Sequence, residues 1–519
     1  MLGIRQLFFA SMLCFIACFF PTITRAQTST NRLAEVAVTI KRPIGAPRLS
    51  DICFSSRWPR PLNSNDPHNT FEAAKAFHAT RIDWSYSNDV AFIQDVKKAG
   101  LVYFGTISSE MDGIKTDVGR EKNYLGRLIG NPELSFLMAR GDINSPEYQK
   151  IVMDHLRILI DGGADGIQVD DPGMTYHNMQ HLGGGYGDAS LAKFRAYLEK
   201  HSTSTQRKSW GMPMELDGFD YAAYVREREG KVVEPVQALF VAFHRESLDQ
   251  FYKTIRHTID EHAGRHVPFS CNNWSSQQQD AFPFKQHFDF WVGETSVQYG
   301  LPTAKRIYEK TKTAEALGKV QVFSPPNDGF DKLPTRASYV DLTRKLIATS
   351  YASGSATLVP WDVWRRGDGT PRFFGTTEEF GDLFDLIAKQ RSFYANHEEA
   401  FATGAGIQSR RAPELPQDPA KLVGAGDDIL LTLRAVPRDT TAPVVLHAVD
   451  WSQDPKPFSI ALRHDLFGQS ANAAMKLHLY QPGAAVKLLT PEKNDDAWTY
   501  FAVLPLRPYG LLVFIPDEQ

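Results

Sequence analysis

Cysteine is nearly missing from this chain, with four residues in 519. Cys14 and Cys18 fall in an apolar leader, which leaves Cys53 and Cys271 in the remaining chain. Those two lie on segments assigned below to strands one and five of a closed sheet, on opposite sides, where no disulfide can span. A chain of this length does not need one to hold its core. One-signed charge is missing too. Lys and Arg number 57 against 60 Asp and Glu, for a net charge of −3, with no basic block. That removes the electrostatic footprint of a nucleic-acid binder. Beyond the leader no apolar run is long enough to cross a bilayer, and there is no internal repeat or low-complexity tract.

What is present begins with the leader. Leu7–Phe20 is almost wholly apolar, follows a short segment carrying Arg5, and is succeeded by Thr24-Arg25-Ala26, which puts small residues where a signal peptidase reads. The apolar run is short for a membrane anchor. A lipoprotein reading through Ile16-Ala17-Cys18 suits less well, because Phe19-Phe20 prolongs the apolar run. A signal peptide over residues 1–26 places the chain in the periplasm or outside the cell, with no membrane attachment after cleavage.

Residues 27–50 are polar, contain Pro43 and Pro47, and read as an N-terminal arm. From residue 51, short β-rich runs alternate with helical stretches, the signature of βα units and a parallel sheet. The runs are Ile52–Ser55, Thr80–Asp83, Leu101–Thr106, Gly166–Asp170, Val267–Cys271, Phe288–Val292, Val320–Phe323 and Thr357–Pro360. Between them, Phe71–Phe77, Asp89–Ala99, Pro146–Gly162 and Tyr339–Ala352 carry apolar residues at spacings of three and four. Ser145-Pro146-Glu147 is a helix start, a cap followed by proline at the first helical position. Eight such units predict a (β/α)8 TIM barrel over 51–404; a doubly wound sheet suits eight strands over this length less well. After a Pro-, Gly- and Ala-rich connector, short strands with turn-rich spacing and no helical signal predict an all-β sandwich over 405–519.

In such a barrel the reacting groups stand at the C-terminal ends of the strands. Those ends offer Arg57-Trp58, Asp83-Trp84, Glu110, Asp170-Asp171, Asn272-Asn273-Trp274, Trp291 with Glu294, Asn327-Asp328, and Trp361-Asp362 with Trp364. Six of the nine tryptophans fall there. Indole faces stack on the flat C–H faces of sugar rings, although any one of these residues could equally be packing. Carboxylates recur beside them, and glycoside hydrolysis needs two. On strand four, Ile167 and Val169 alternate with Gln168 and Asp170, so Asp170 is expected at the last inward position. Asp171 follows as a hydroxyl-binding or turn residue. Glu294, just past strand six, is the first choice of partner, with Asp362, Asp328, Glu110 and Asp83 as rivals.

Gly166-Ile167-Gln168-Val169-Asp170 resembles the strand-four motif of the retaining α-galactosidase and α-glucosidase clan. Gly187-Asp188-Ala189 with Phe194–Leu198 is similar to a segment of family 42-like barrel glycosidases, whose β-galactosidase members carry at strand four an Asn-Glu dipeptide that this sequence lacks. The resemblance implies a retaining glycosidase with Asp170 as nucleophile and an acid on strand six, here Glu294. The expectation is therefore a secreted glycoside hydrolase acting on an oligo- or polysaccharide. Arg57, Trp58, Asp83, Trp84, Glu110, Asp171, Asn272, Asn273, Trp274, Trp291, Trp361 and Asp362 would contact the sugar, with no cofactor and no metal. Two other readings stand beside it. His177 and His181, four apart, could share a helix face and hold a metal with an Asp, although Pro172, Gly173 and the glycines at 183–185 argue against a stable helix there. The barrel could also bind carbohydrate without cleaving it. Oligomeric state is left open. The leader carries its own test: intact mass or N-terminal sequencing of the exported protein should place the first residue at Gln27, and retention of residues 1–26 would refute cleavage.

Overall fold

A computed structural model describes residues 31–56, 70–111, 117–130, 140–273, 285–295, 300–325, 333, 335–361, 374–470 and 475–516. Eight parallel strands close into a barrel in chain order. They are β1 (Cys53–Ser55), β2 (Arg81–Ser85), β3 (Val102–Ile107), β4 (Gly166–Val169), β5 (Phe269–Asn272), β6 (Phe290–Glu294), β7 (Gln321–Ser324) and β8 (Ala356–Pro360). All eight runs read from the sequence are strands, displaced by a residue or two at their ends. The helical stretches are helices, and Pro146–Asp161 starts as expected, with Ser145 Oγ accepting from the amides of Glu147 at 3.2 Å and Tyr148 at 3.4 Å.

Alternation sorts the strand side chains into two sets. Ile167, Val169, Cys271 and Trp291 join the layer between strands and helices. Cys53, Trp84, Phe104, Phe290, Val292, Val322 and Leu358 fill the barrel interior. Within that filling lies a buried ion pair. The Arg81 guanidinium donates through Nε to both Asp83 carboxylate oxygens at 2.7 Å and lies over the rings of Phe104 and Phe290, 5.0 and 5.4 Å from their centroids. Room for the Phe104 ring comes from Gly166, where a Cβ would approach it to 2.4 Å.

Strand β2 breaks the alternation once. Phe54 pairs with Ile82 but Ser55 with Trp84, and Ile82 pairs with Tyr103 but Ser85 with Gly105. One extra residue is thus inserted between Ile82 and Ser85, a β-bulge. It lets Asp83 and Trp84 both point inward and passes the next inward position to Tyr86.

Eleven antiparallel strands follow: β9 (Glu398–Gly404), β10 (Ile407–Arg411), β11 (Ala420–Val423), β12 (Ile429–Ala435), β13 (Val444–Asp450), β14 (Phe458–Arg463), β15 (Leu477–Tyr480), β16 (Lys487–Leu489), β17 (Lys493–Asn494), β18 (Trp498–Val503) and β19 (Tyr509–Phe514). They form a seven-stranded sheet, β10-β9-β12-β13-β19-β15-β16, and a four-stranded sheet, β11-β14-β18-β17. Leu431, Leu433, Leu446, Ile460, Leu462, Phe501 and Leu512 pack between them. The seven-stranded sheet starts at Glu398, within the stretch that the sequence assigned to the barrel. The arm also belongs to this unit, because the short helix Arg32–Val36 buries Leu33 and Ala34 in the same core. The other face of the large sheet, with Leu430, Val445, Val449 and Val513, merges with the apolar layer around the barrel. Arg434 crosses that junction, its Nε donating to the Ala352 carbonyl at 3.2 Å.

The Arg81–Asp83 pair generates a prediction. Removing one partner strands a buried charge, so Asp83→Ala should lower unfolding stability by about 3–5 kcal/mol. Urea titration measures this. A variant with wild-type stability and an altered affinity for sugar would instead give Asp83 a binding role.

Candidate functional site

At the C-terminal mouth of the barrel four half-buried polar side chains converge: Tyr86 after β2, Asp170 after β4, Asn272 ending β5 and Glu294 ending β6. Their convergence follows from phase. Gly166, Gln168 and Asp170 share one face of β4, and Phe290, Val292 and Glu294 share one face of β6, whose lower members lie in the barrel interior. The Tyr86 hydroxyl donates a short hydrogen bond to Asp170 Oδ2. Asn272 Nδ2 donates to Asp170 Oδ1 at 3.1 Å and reaches Glu294 Oε2 at 3.5 Å. The Asp171 amide also donates to Asp170 Oδ1, at 3.0 Å. Since one nitrogen touches both acids, the two carboxylate oxygens lie at most about 6.6 Å apart. The bound concerns Asp170 Oδ1 and Glu294 Oε2 alone; carboxyl groups stand roughly 5–5.5 Å apart in retaining pairs and roughly 6.5–9.5 Å apart in inverting ones.

The other residues named from the sequence divide clearly. Asp171 takes side-chain partners other than the pair. It has φ +49°, pairs with the Arg140 guanidinium and accepts from Ser109 Oγ at 3.0 Å. Arg140 also donates to Asn178 Oδ1 at 3.0 Å. Asp171 thus fastens the segments after β3 to the strand-four turn. Three residues expected to contact sugar are closed off instead. Asp83 is fully buried in its ion pair and Trp84 is fully buried in the interior packing. Trp291 is fully buried on the helix side of β6, below the Lys285 ammonium at 5.7 Å. The cause is parity: odd positions of β6 face the helices, and the bulge in β2 seats Trp84 under the mouth. Trp361 likewise packs toward the helix layer, its ring 5.7 Å from Phe77 and 6.4 Å from Phe54. Asn273 is buried, and its carbonyl accepts from Gln321 Nε2 at 3.1 Å. Glu110 is half-buried and bridges to Arg140 through the backbone. Arg57, Trp58, Trp274, Asp328, Asp362 and Trp364 lie outside the described residues.

His177 and His181 do sit on one helix, Met174–Leu182, with ring centroids 4.6 Å apart. The glycines that argued against a helix mark its ends: Gly173 precedes it, and Gly183 closes it at φ +68°. Burial, then His181 and Arg140, hold His177 down to about 4. A neighbouring guanidinium is a poor setting for a cation, and among the described residues no group of three His, Cys, Asp or Glu side chains gathers around a common point.

Two buried acids support the mouth from outside. Glu121 Oε1 accepts from the amides of Gly185 at 2.7 Å and Lys122 at 3.1 Å. Asp142 accepts from the Ser190 amide at 2.9 Å and hydroxyl at 2.7 Å. Together they moor the glycine-rich turn after β4 to the excursion after β3. Burial, reinforced by the Asp142 charge, pushes the Glu121 carboxyl well above its ordinary range. Burial raises Asp142 too.

No family model matches the chain, and no curated protein matches it. Solved structures do. An α-amylase from H. orenii shares 10% identity at a TM-score of 0.50, covering 89% of this chain and 99% of that one. A β-L-arabinopyranosidase from Geobacillus stearothermophilus shares 12% at 0.43, covering 92% and 97%. The glycoside hydrolase domain of PelA from Pseudomonas aeruginosa shares 13% at 0.32, covering 61% and 96%. At 10% identity the likeness to the amylase is one of fold alone, a TIM barrel.

The Glu121 carboxyl generates a pH prediction. The unfolded side chain ionises near 4.5, whereas the folded one keeps its proton to higher pH. Between those values the native state binds more protons, so its stability falls as pH rises. Glu121→Gln should flatten that slope in urea unfolding measured across the interval. An unchanged slope would remove Glu121 as its source.

Proposed function

We propose that the chain is a glycoside hydrolase that cleaves an oligo- or polysaccharide with retention of configuration, Asp170 acting as nucleophile and Glu294 as general acid and base. One observation carries this reading: the two carboxylates, on β4 and β6, share the Asn272 amide at the mouth of the barrel. Two acids bridged by one amide suit a double displacement, which needs the carboxyl groups close together.

In the first step Asp170 attacks the anomeric carbon while the bond to the leaving oxygen breaks. The electron pair goes to that oxygen, which takes the Glu294 proton. In the second, water attacks the same carbon, Glu294 accepts its proton, and the ester bond to Asp170 breaks with its electrons returning to the carboxylate. Asp170 Oδ1 already holds donors from Asn272 and the Asp171 amide. That makes it the oxygen suited to become the ester carbonyl, and leaves Oδ2, facing Tyr86, as the attacking atom. The Asn272 amide fixes both acids in relation to one another, the positioning that such chemistry depends on. Arg57, Trp58 and Trp274, on the segments that follow β1 and β5, are assigned to sugar contact. The signal peptide assigns the activity to the periplasm or the exterior.

Aryl glycosides and a panel of polysaccharides test the reading. Asp170→Asn should abolish turnover. Glu294→Gln should slow natural substrates by about 10²–10⁴-fold, and slow substrates with activated leaving groups far less in the first step. A 2-deoxy-2-fluoro glycosyl fluoride of the accepted sugar should label the peptide that contains Asp170. Wild-type turnover by Asp170→Asn would sink the assignment, and an inverted product would sink the double displacement.

A further inference from the structure

The outer face of the four-stranded sheet does not resemble an ordinary solvated surface. Along β18, Thr499, Phe501 and Val503 are buried toward the sandwich core, so Trp498 and Tyr500 stand on the opposite face. The strand register sets their neighbours. Tyr500 pairs with Ala461 of β14 on one side and Lys493 of β17 on the other, and Ala461 pairs in turn with Lys421 of β11. Arg463 pairs with Trp498 one step along. The small Ala461 between the aromatic strand and β11 is fully buried beneath these longer neighbours.

Cations gather over the two rings. The Lys421 ammonium lies 4.2 Å from the Trp498 ring centroid and 5.3 Å from that of Tyr500. Lys493 is 5.4 Å from Tyr500, and the Arg463 guanidinium 5.8 Å from Trp498. Arg463 has a carboxylate partner, Asp465, at 3.1 Å. The Tyr500 hydroxyl donates to Asp495 Oδ2 at 2.9 Å, and Lys493 acts on the same acid. Lys421 differs from both: among the described residues its charge meets aromatic faces and no carboxylate within ion-pair distance. An ammonium held over two rings is attracted by their quadrupoles, and it remains open to an anion. The aromatic faces beneath it are the surfaces on which a pyranose ring stacks.

We propose that this face is a second carbohydrate site, separate from the barrel mouth, and that it takes an acidic polysaccharide of hexuronic acid units. A uronate carboxylate would take the Lys421 ammonium, and the sugar ring would occupy the Trp498 face that the ammonium vacates. Charge complementarity selects the anionic polymer: Asp465 and Asp495 offset Arg463 and Lys493, and Lys421 brings the surplus positive charge to the two aromatic rings. The inference does not rest on the chemistry assigned to Asp170 and Glu294.

Affinity electrophoresis of the full exported chain tests it, with polygalacturonate in the gel and uncharged hydroxyethylcellulose as the comparison. Polygalacturonate should retard the wild type, and hydroxyethylcellulose should not. Added salt should weaken the retardation. Lys421→Ala and Trp498→Ala should each raise the apparent Kd by about tenfold, the equivalent of one lost cation or stacking contact. Trp498→Phe, which keeps an aromatic face, should stay close to wild type. Thermal unfolding of each variant checks the fold, and if Trp498→Ala unfolds, Lys421→Ala decides alone. No retardation by polygalacturonate overturns the proposal. So does retardation that Lys421→Ala leaves intact, which would assign binding to the barrel mouth. Retention on anionic phospholipid vesicles without retardation by polygalacturonate overturns it in favour of a membrane surface.

Discussion

Period-two alternation in a closed barrel constrains everything else in this molecule. Each strand contributes one set of side chains to a narrow interior and the other to the helix layer, and at β4, β5 and β6 the inward set ends in a half-buried residue at the mouth. Apolar and aromatic groups therefore fill the lower interior, with the Arg81–Asp83 pair clamped between Phe104 and Phe290. The polar residues that end the inward sets of β4, β5 and β6 have nowhere to point except at one another. Asp170, Asn272 and Glu294 meet because their strands are adjacent and in phase, and Asn272, on the strand between, is the residue able to touch both acids.

This constraint also explains how much was legible in the sequence. The eight strands and the sandwich could be read from runs and turns, and Asp170 from a four-residue alternation that the structure keeps. Glu294 needed one more fact. Its phase is fixed by Phe290 and Val292 packing in the barrel interior, which periodicity past the end of a short apolar run does not reveal. Trp84, Trp291 and Trp361 depart from expectation for the same reason. Proximity to a strand end is not access to the mouth: Trp291 is out of phase with Glu294, and Trp361 packs on Phe77. Tyr86 and Arg140 were not foreseen. Arg140 lies in an excursion far from any strand end, where only tertiary pairing with Asp171 gives it meaning.

Outside the mouth, charge is used as joinery. Asp171 with Arg140, and Glu121 and Asp142 with backbone amides, tie the segments after β3 and β4 into one wall. At the far side, Glu399 takes the Lys312 ammonium at 2.9 Å and the Tyr308 hydroxyl at 2.7 Å, joining the first strand of the sandwich to a barrel helix. Each of these groups is buried or half-buried and hydrogen-bonded, the condition under which a polar network specifies an arrangement. The sandwich and barrel share one continuous apolar layer as well, so the junction is more like a seam within one body than a linker between two.

The bulge in β2 acts on its strand as a frameshift acts on a message. Everything before the inserted residue keeps its original phase, and everything after it is re-addressed. With an uninterrupted strand, Arg81, Asp83 and Ser85 would share the inward face, and the last inward group would be a short hydroxymethyl without the reach of a phenol. One surplus residue exchanges that group for Tyr86, whose hydroxyl meets the carboxylate of Asp170 across the mouth. The identity of a residue at the heart of the site is thus written in the spacing of the strand as much as in its letters. A single-residue deletion between Ile82 and Ser85 would leave Ser85 opposite Gly105 and Tyr86 facing inward, and would be felt instead in the interior packing that loses Asp83 or Trp84.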